Sequence, residues 1–92
     1  MIQSFRDKRA ERLFRGVRVP DFEGFASQAE QRLRLLDAAD SLHALRMLPS
    51  NRFEALKGDR AGQYSIRINR QWRIGFEWRD DGAHDVEIVD YH

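Results

Sequence analysis

The feature that most constrains this chain is a change of hydrophobic period near its midpoint. In the first half, apolar side chains recur every three or four residues, the repeat of one helix face. Phe22, Phe25, Ala26, Ala29, Leu33 and Leu36 follow that rule without a gap. From Tyr64 onward the period is two. Tyr64, Ile66 and Ile68 alternate with Ser65, Arg67 and Asn69, and Trp72, Ile74, Phe76 and Trp78 alternate with Arg73, Gly75, Glu77 and Arg79. That is the signature of strands with one buried face. Helices followed by strands build a helical layer against one face of an antiparallel sheet, an α+β architecture.

Local signals set the expected boundaries. A first helix spans residues 7–15 and stops at Gly16, and 16–20 form a linker ending at Pro20. A second helix runs from about 21 to 39, and Asp40 or Ser41 caps a short third helix over 42–45. Strands are expected at 64–68, 72–78 and 86–91, with short candidates at 2–5 and 53–56. Gly58 to Gly62, Asn69-Arg70-Gln71 and Asp80-Asp81-Gly82 supply the turns. The expectation is two to three N-terminal helices on one face of a mostly antiparallel sheet of four to five strands. With 92 residues and no cysteine, halves would be too small to hold separate cores, so residues 1–92 read as one domain.

Composition removes several function classes. At 41% hydrophobic and 11% aromatic the chain is not disordered. Apolar runs are too short to span a membrane, and the start, Met1 to Arg6, lacks the apolar core of a signal peptide, so a cytoplasmic location is expected. Absent cysteine excludes disulfides, thiolate catalysis and zinc fingers. There is no Gly-Lys-Ser/Thr phosphate loop and no G-x-S-x-G element, and Asp80, Asp81, His84, Asp85, Asp90 and His92 lack metal-ligand spacing, so no cofactor or metal is expected.

Charge is more informative. The net charge is +1, but of sixteen basic residues fourteen are Arg. Arg grips phosphate with a rigid fork and stacks on bases, although codon bias alone yields the same count, so placement decides. Arg6, Arg9, Arg12, Arg15 and Arg18, spaced by three, form a broad basic stripe. Strand parity puts Arg67 and Arg73 on the sheet face away from the helices, together with Tyr91 and, as an apolar exception, Val89. Two readings are open for that arginine pair: a phosphate clamp, or cross-strand salt bridges with Glu77 or Glu87. Lys57 and Arg60 add charge at a turn, and Asp90, Tyr91 and His92 gather a carboxylate, a phenol and an imidazole at the chain end. Such a set suits RNA phosphodiester cleavage. The substrate supplies its own 2′-hydroxyl nucleophile, while the protein supplies a base, an acid and cations.

Several segments carry a family resemblance. They are Met1-Ile2-Gln3-Ser4-Phe5, Leu35-Leu36-Asp37-Ala38-Ala39, the run from Leu56-Lys57-Gly58 to Ser65-Ile66-Arg67, Asn69-Arg70-Gln71-Trp72-Arg73-Ile74-Gly75-Phe76, and Val89-Asp90-Tyr91-His92. Together they resemble HigB-type toxins of the RelE/ParE superfamily along essentially the whole chain. The resemblance implies a RelE-like fold and a ribosome-dependent mRNA endonuclease acting in the ribosomal A site of the 70S ribosome. It implies a HigA-type helix-turn-helix antitoxin as partner, with operator DNA reached only through that antitoxin. Carried over by position, Lys57 and Arg73 steady the scissile phosphate, Tyr91 orients substrate, His92 transfers protons and Asp90 assists it. Arg67, Arg60, Arg6, Arg9 and Arg12 are the expected RNA-binding cations, with three readings open for the stripe Arg6, Arg9, Arg12 and Arg15: a grip on ribosomal RNA, a contact for acidic residues of the antitoxin, or a solvated helix face. The sequence departs from a His-Pro-Leu-Lys-Gly run found in some members: it reads Glu54-Ala55-Leu56-Lys57-Gly58. Either His92 carries the main acid–base role, or Glu54 substitutes, or the enzyme is slow. A degenerate toxin acting as co-repressor and a ParE-like gyrase inhibitor are the alternative readings.

Overall fold

The computed structural model describes residues 1–90. Helix α1 spans Lys8–Phe14, α2 Ala26–Ala38 and α3 Leu42–Arg46. Strands β1 (Glu54–Ala55), β2 (Gln63–Arg67), β3 (Trp72–Arg79) and β4 (Gly82–Asp90) form one antiparallel sheet in the order β1-β2-β3-β4. The N-terminal residues pair in parallel with the outer edge of β4 through Ile2 opposite Ala83 and Phe5 opposite Val86. The α+β expectation, with helices on one face of a mostly antiparallel sheet, is met.

Caps explain where two helices begin. The Asp7 carboxylate accepts from the Arg9 N–H at 2.9 Å and opens α1, and the Ser41 hydroxyl accepts from the Ala44 N–H at 3.1 Å and opens α3. Each satisfies a donor that the first turn leaves without a partner. The second helix differs from expectation. Pro20–Phe25 is a 3-10 turn, and the α-helix starts five residues late, at Ala26. Tertiary packing overrides the periodicity here. Phe22 is buried, Phe25 leaves helical geometry, and both rings close on Trp72, with centroids 5.9 and 5.1 Å away.

The sheet divides as its parity requires. Ile66, Ile74, Phe76, Val86 and Ile88 are buried in one core with Leu13, Phe22, Leu33, Leu36 and Leu45 from the helical layer. Burial of such a side chain contributes about 1.5–3 kcal/mol. β4 begins at Gly82, four residues before the expected start. The missed stretch holds a bulge: Gly75 pairs with Glu87, but Glu77 pairs with His84. Asp85 sits there at φ 51°. The extra residue reverses the alternation, so that Ala83 and Val86 both reach the core. Gly82, at φ 126°, lies against the Met1 carbonyl, leaving no room for a Cβ. Met1, Gln3, Ser4 and Arg6 make backbone hydrogen bonds to Ala83 and Val86, covering this edge of the sheet.

Candidate functional site: a cationic cleft on the open sheet face

β2 and β3 present their polar residues away from the helices. Arg67 and Arg73 stand directly opposite each other in the register, as do Ser65 and Gly75. Two like charges facing each other across a strand pair are destabilising. The turn that brings β3 back beside β2 is built by Asn69, whose side-chain oxygen accepts from the N–H groups of Gln71 and Trp72, both at 2.8 Å.

Arg73 is held firmly. Its Nε donates to the Ser65 hydroxyl at 2.8 Å, and one terminal nitrogen donates to the Ser65 carbonyl at 3.3 Å and also to the Arg52 carbonyl. The other terminal nitrogen lies 3.9 Å from the Glu54 carboxylate, and the Arg73 side chain is only 14% exposed. Arg67 turns its Nε to the Asn69 carbonyl at 3.0 Å. Neither arginine pairs with Glu77 or Glu87. Glu87 pairs with Arg6 at 3.4 Å, and Glu77 with Arg79 at 3.4 Å. The salt-bridge reading of the pair therefore does not hold in the form expected.

Around this pair lies a cleft of about 570 Å³. Six cations line it: Arg52, Lys57, Arg60, Arg67, Arg70 and Arg73. Among its described lining residues the carboxylate of Glu54, 60% exposed, is the single acid. Leu56, Asn69 and Gln71 complete the wall. Carbonyl and hydroxyl oxygens fix the orientation of the Arg67 and Arg73 guanidinium groups within the cleft. The arrangement suits a polyanion with a neutral, hydrogen-bonding component.

The sequence-derived set is partly brought together. Lys57, Arg60, Arg67 and Arg73 share the cleft. Asp90 lies at its rim: it pairs with Trp72 in the sheet, and its carboxylate accepts from the Gln71 side chain at 2.9 Å. Tyr91 and His92 lie outside the described residues. Arg6, Arg9 and Arg12 are not in the cleft wall. Arg6 pairs with Glu87, and Arg9 pairs with Asp7 at 3.2 Å and Asp21 at 2.8 Å, while its guanidinium covers the Phe22 ring at 4.9 Å. Those carboxylates raise the Arg9 pKa above its ordinary value through hydrogen bonds with Asp7 and Asp21, despite the opposing effect of burial. Arg12 is exposed on α1. Sequence reading missed Arg52 and Arg70. Arg70 could have been found from its place in the turn between two strands carrying arginine. Arg52 carries no such signal, because its approach depends on how the loop after α3 folds back.

Helices packed on one face of a four-stranded antiparallel sheet make a RelE-like α+β fold. The comparisons are consistent with that class: the chain belongs to the HigB-like toxin family, described as RelE-like toxins of type II toxin–antitoxin systems, whose family model matches residues 3–92. It is similar to Toxin HigB-1 of Vibrio cholerae, with 47% identity over 53 residues covering 58% of this chain and 56% of that protein. It is also similar to Endoribonuclease HigB of Proteus vulgaris, with 32% identity over 97 aligned positions covering the whole of both chains. No helix among the described residues is long and apolar enough to cross a membrane.

Proposed function

We propose that this protein is a toxin that cleaves mRNA on the ribosome, and that the cleft around Arg73 is its active site. One observation carries the reading: two arginines stand directly opposite each other on neighbouring strands inside a cleft lined by six cations. Support comes from the family match and from the relative named an endoribonuclease.

The chemistry follows from the parts. The substrate 2′-oxygen attacks the adjacent phosphorus, the O2′–P bond forms, and the P–O5′ bond breaks. The products are a 2′,3′-cyclic phosphate and a 5′-hydroxyl. Arg73 and Lys57 bind the nonbridging oxygens, whose charge grows in the transition state. Arg67, Arg60 and Arg70 hold neighbouring phosphates and set the register of the strand. His92 protonates the leaving oxygen or accepts the attacking proton, Tyr91 stacks on a base, and Asp90 orients His92. Glu54, the carboxylate beside Arg73, is the second proton acceptor available to the site. The remaining partners are those of the family: a 70S ribosome presenting mRNA in its A site, in the cytoplasm, and a HigA-type helix-turn-helix antitoxin that neutralises the toxin and carries it to operator DNA.

The test is primer extension on a defined mRNA in a purified translation system, with naked mRNA beside it. Cuts within A-site codons on ribosomes alone are the expected result. Absence of cuts by folded protein, with inhibition of DNA gyrase supercoiling, would transfer the assignment to gyrase. Absence of both, with promoter binding alongside the antitoxin, would leave a co-repressor.

A further inference from the structure

Two polar side chains are buried among the described residues, Asn51 and Ser65, each with no exposed surface. Both lead to the same guanidinium. Ser65 receives the Arg73 Nε directly. Asn51 precedes Arg52, whose carbonyl receives an Arg73 terminal nitrogen.

Asn51 is tied from two sides. Its amide nitrogen donates to the Leu45 carbonyl at the end of α3 at 2.9 Å. Its oxygen accepts from Arg32 of α2 at 2.8 Å, and the same Arg32 nitrogen reaches the Ser50 hydroxyl at 3.3 Å. The Asn51 N–H donates to the Leu48 carbonyl, closing the 3-10 turn Pro49–Asn51. The next residue, Arg52, is then forced into the left-handed region at φ 44°, ψ 50°. A side-chain-bearing residue occupies that region at a cost, and persists there only where its surroundings fix it. The result is a carbonyl aimed at Arg73 from the loop that leads into β1.

We infer that Asn51 is a positioning residue for Arg73: clamped by Arg32 and Leu45, it sets the left-handed turn at Arg52 whose carbonyl fixes the Arg73 guanidinium in the cleft. The inference rests on the proposed reading of Arg73 as a phosphate-binding group. A packing role alone would be served by an apolar residue of similar volume, which would bring no buried amide to satisfy. The arrangement gives the cleft a support in the helical layer, because Arg32 belongs to α2 and does not line the cleft. Loss of the clamp lets the guanidinium wander by a fraction of its own width, which suffices to slow chemistry that depends on alignment.

The test combines kinetics with a signal that needs no RNA. Arg32→Ala removes the clamp from outside the cleft and leaves Asn51 in place. We expect a turnover roughly tenfold lower with KM unchanged, and no further loss when Arg32→Ala is added to Arg73→Ala. Arg32→Lys, which keeps a donor for Asn51, restores most of the rate. In parallel, the Nε–H resonance of Arg73, assigned by its disappearance in Arg73→Lys, is expected to exchange slowly with solvent in wild type and quickly in Arg32→Ala. Thermal melting of each variant gives the folded fraction. Equal losses from Arg32→Ala in both backgrounds, or unchanged protection of the Arg73 resonance in folded Arg32→Ala, would overturn the inference. If wild type cuts no RNA, the proposed function fails, while the resonance arm still decides whether Asn51 positions Arg73.

Discussion

The molecule carries two groups of arginines, and they are handled in opposite ways. Along α1 and its flanks, Arg6, Arg9, Arg15 and Arg18 each meet a carboxylate, respectively Glu87, Asp7 with Asp21, Glu11, and Glu23. In the cleft, Arg67 and Arg73 are oriented by carbonyl and hydroxyl oxygens, Glu54 lies 3.9 Å from Arg73, and six cations line one cavity. The first group is spread over the surface in separate ion pairs. The second is gathered around one cavity. Residue counting cannot separate the two groups, because both are rich in Arg; what separates them is the chemistry of the groups that hold them.

The largest expected effect breaks the cleft side of this contrast. Arg73→Ala should lower mRNA cleavage by about 10²–10³-fold, equivalent to about 2.7–4 kcal/mol of transition-state stabilisation. Single-turnover kinetics on ribosome-bound mRNA would measure it, and a loss below threefold would count against the assigned role. Arg67→Ala comes next. It should weaken binding to single-stranded RNA and reduce the slope of log affinity against log salt by about 0.7, the value of one phosphate contact. A salt titration by fluorescence anisotropy reads that slope, and an unchanged slope would remove Arg67 from the phosphate path.

On the helical side, substitution should cost stability and spare RNA binding. Arg9→Ala deletes two ion pairs and the cover over Phe22, with an expected loss of about 1 kcal/mol in urea unfolding. The smallest effect concerns the β3–β4 turn. A 2.6 Å hydrogen bond from His84 Nε2 holds the Asp81 carboxyl below its ordinary pKa. A depressed carboxyl pKa contributes stability that is fully present above the unfolded value and is lost as pH falls through the folded one. For Asp81 that loss begins below about pH 4. Asp81→Asn should slightly lower stability above that pH and flatten the acid limb below it, so that variant and wild type converge in acid. An acid limb identical to wild type would show that the pair contributes nothing.

Much of this was legible from the residues themselves. Period two in β2 and β3 fixed which face carries Arg67 and Arg73, because side-chain direction in a strand is set by covalent geometry alone. Asp7 and Ser41 marked two helix starts, because a capping side chain acts on its own neighbours. The less legible parts depend on contacts between distant segments. The 3-10 turn at Pro20–Phe25 is set by Trp72, nearly fifty positions away in sequence. The bulge at Asp85 allows β4 to begin at Gly82 while both Ala83 and Val86 stay buried. Arg52 reaches the cleft through the loop after α3, whose course depends on the Arg32–Asn51 hydrogen bond, on Phe53 stacking against Tyr64 and on β1 pairing with β2. The same limit applies to the α1 stripe. Its spacing was visible, but its neutralisation by Asp21, Glu23 and Glu87 follows from the tertiary fold.

The most direct test compares the two arginine groups in one assay. Arg73→Ala and the double variant Arg9→Ala/Arg15→Ala would be matched for folded fraction and run beside wild type on ribosome-bound mRNA. Cleavage abolished in the first and retained within about threefold in the second is the result expected if the cleft performs the chemistry. Retained cleavage by Arg73→Ala, with loss in the double variant, would place the working surface on α1 and contradict the account.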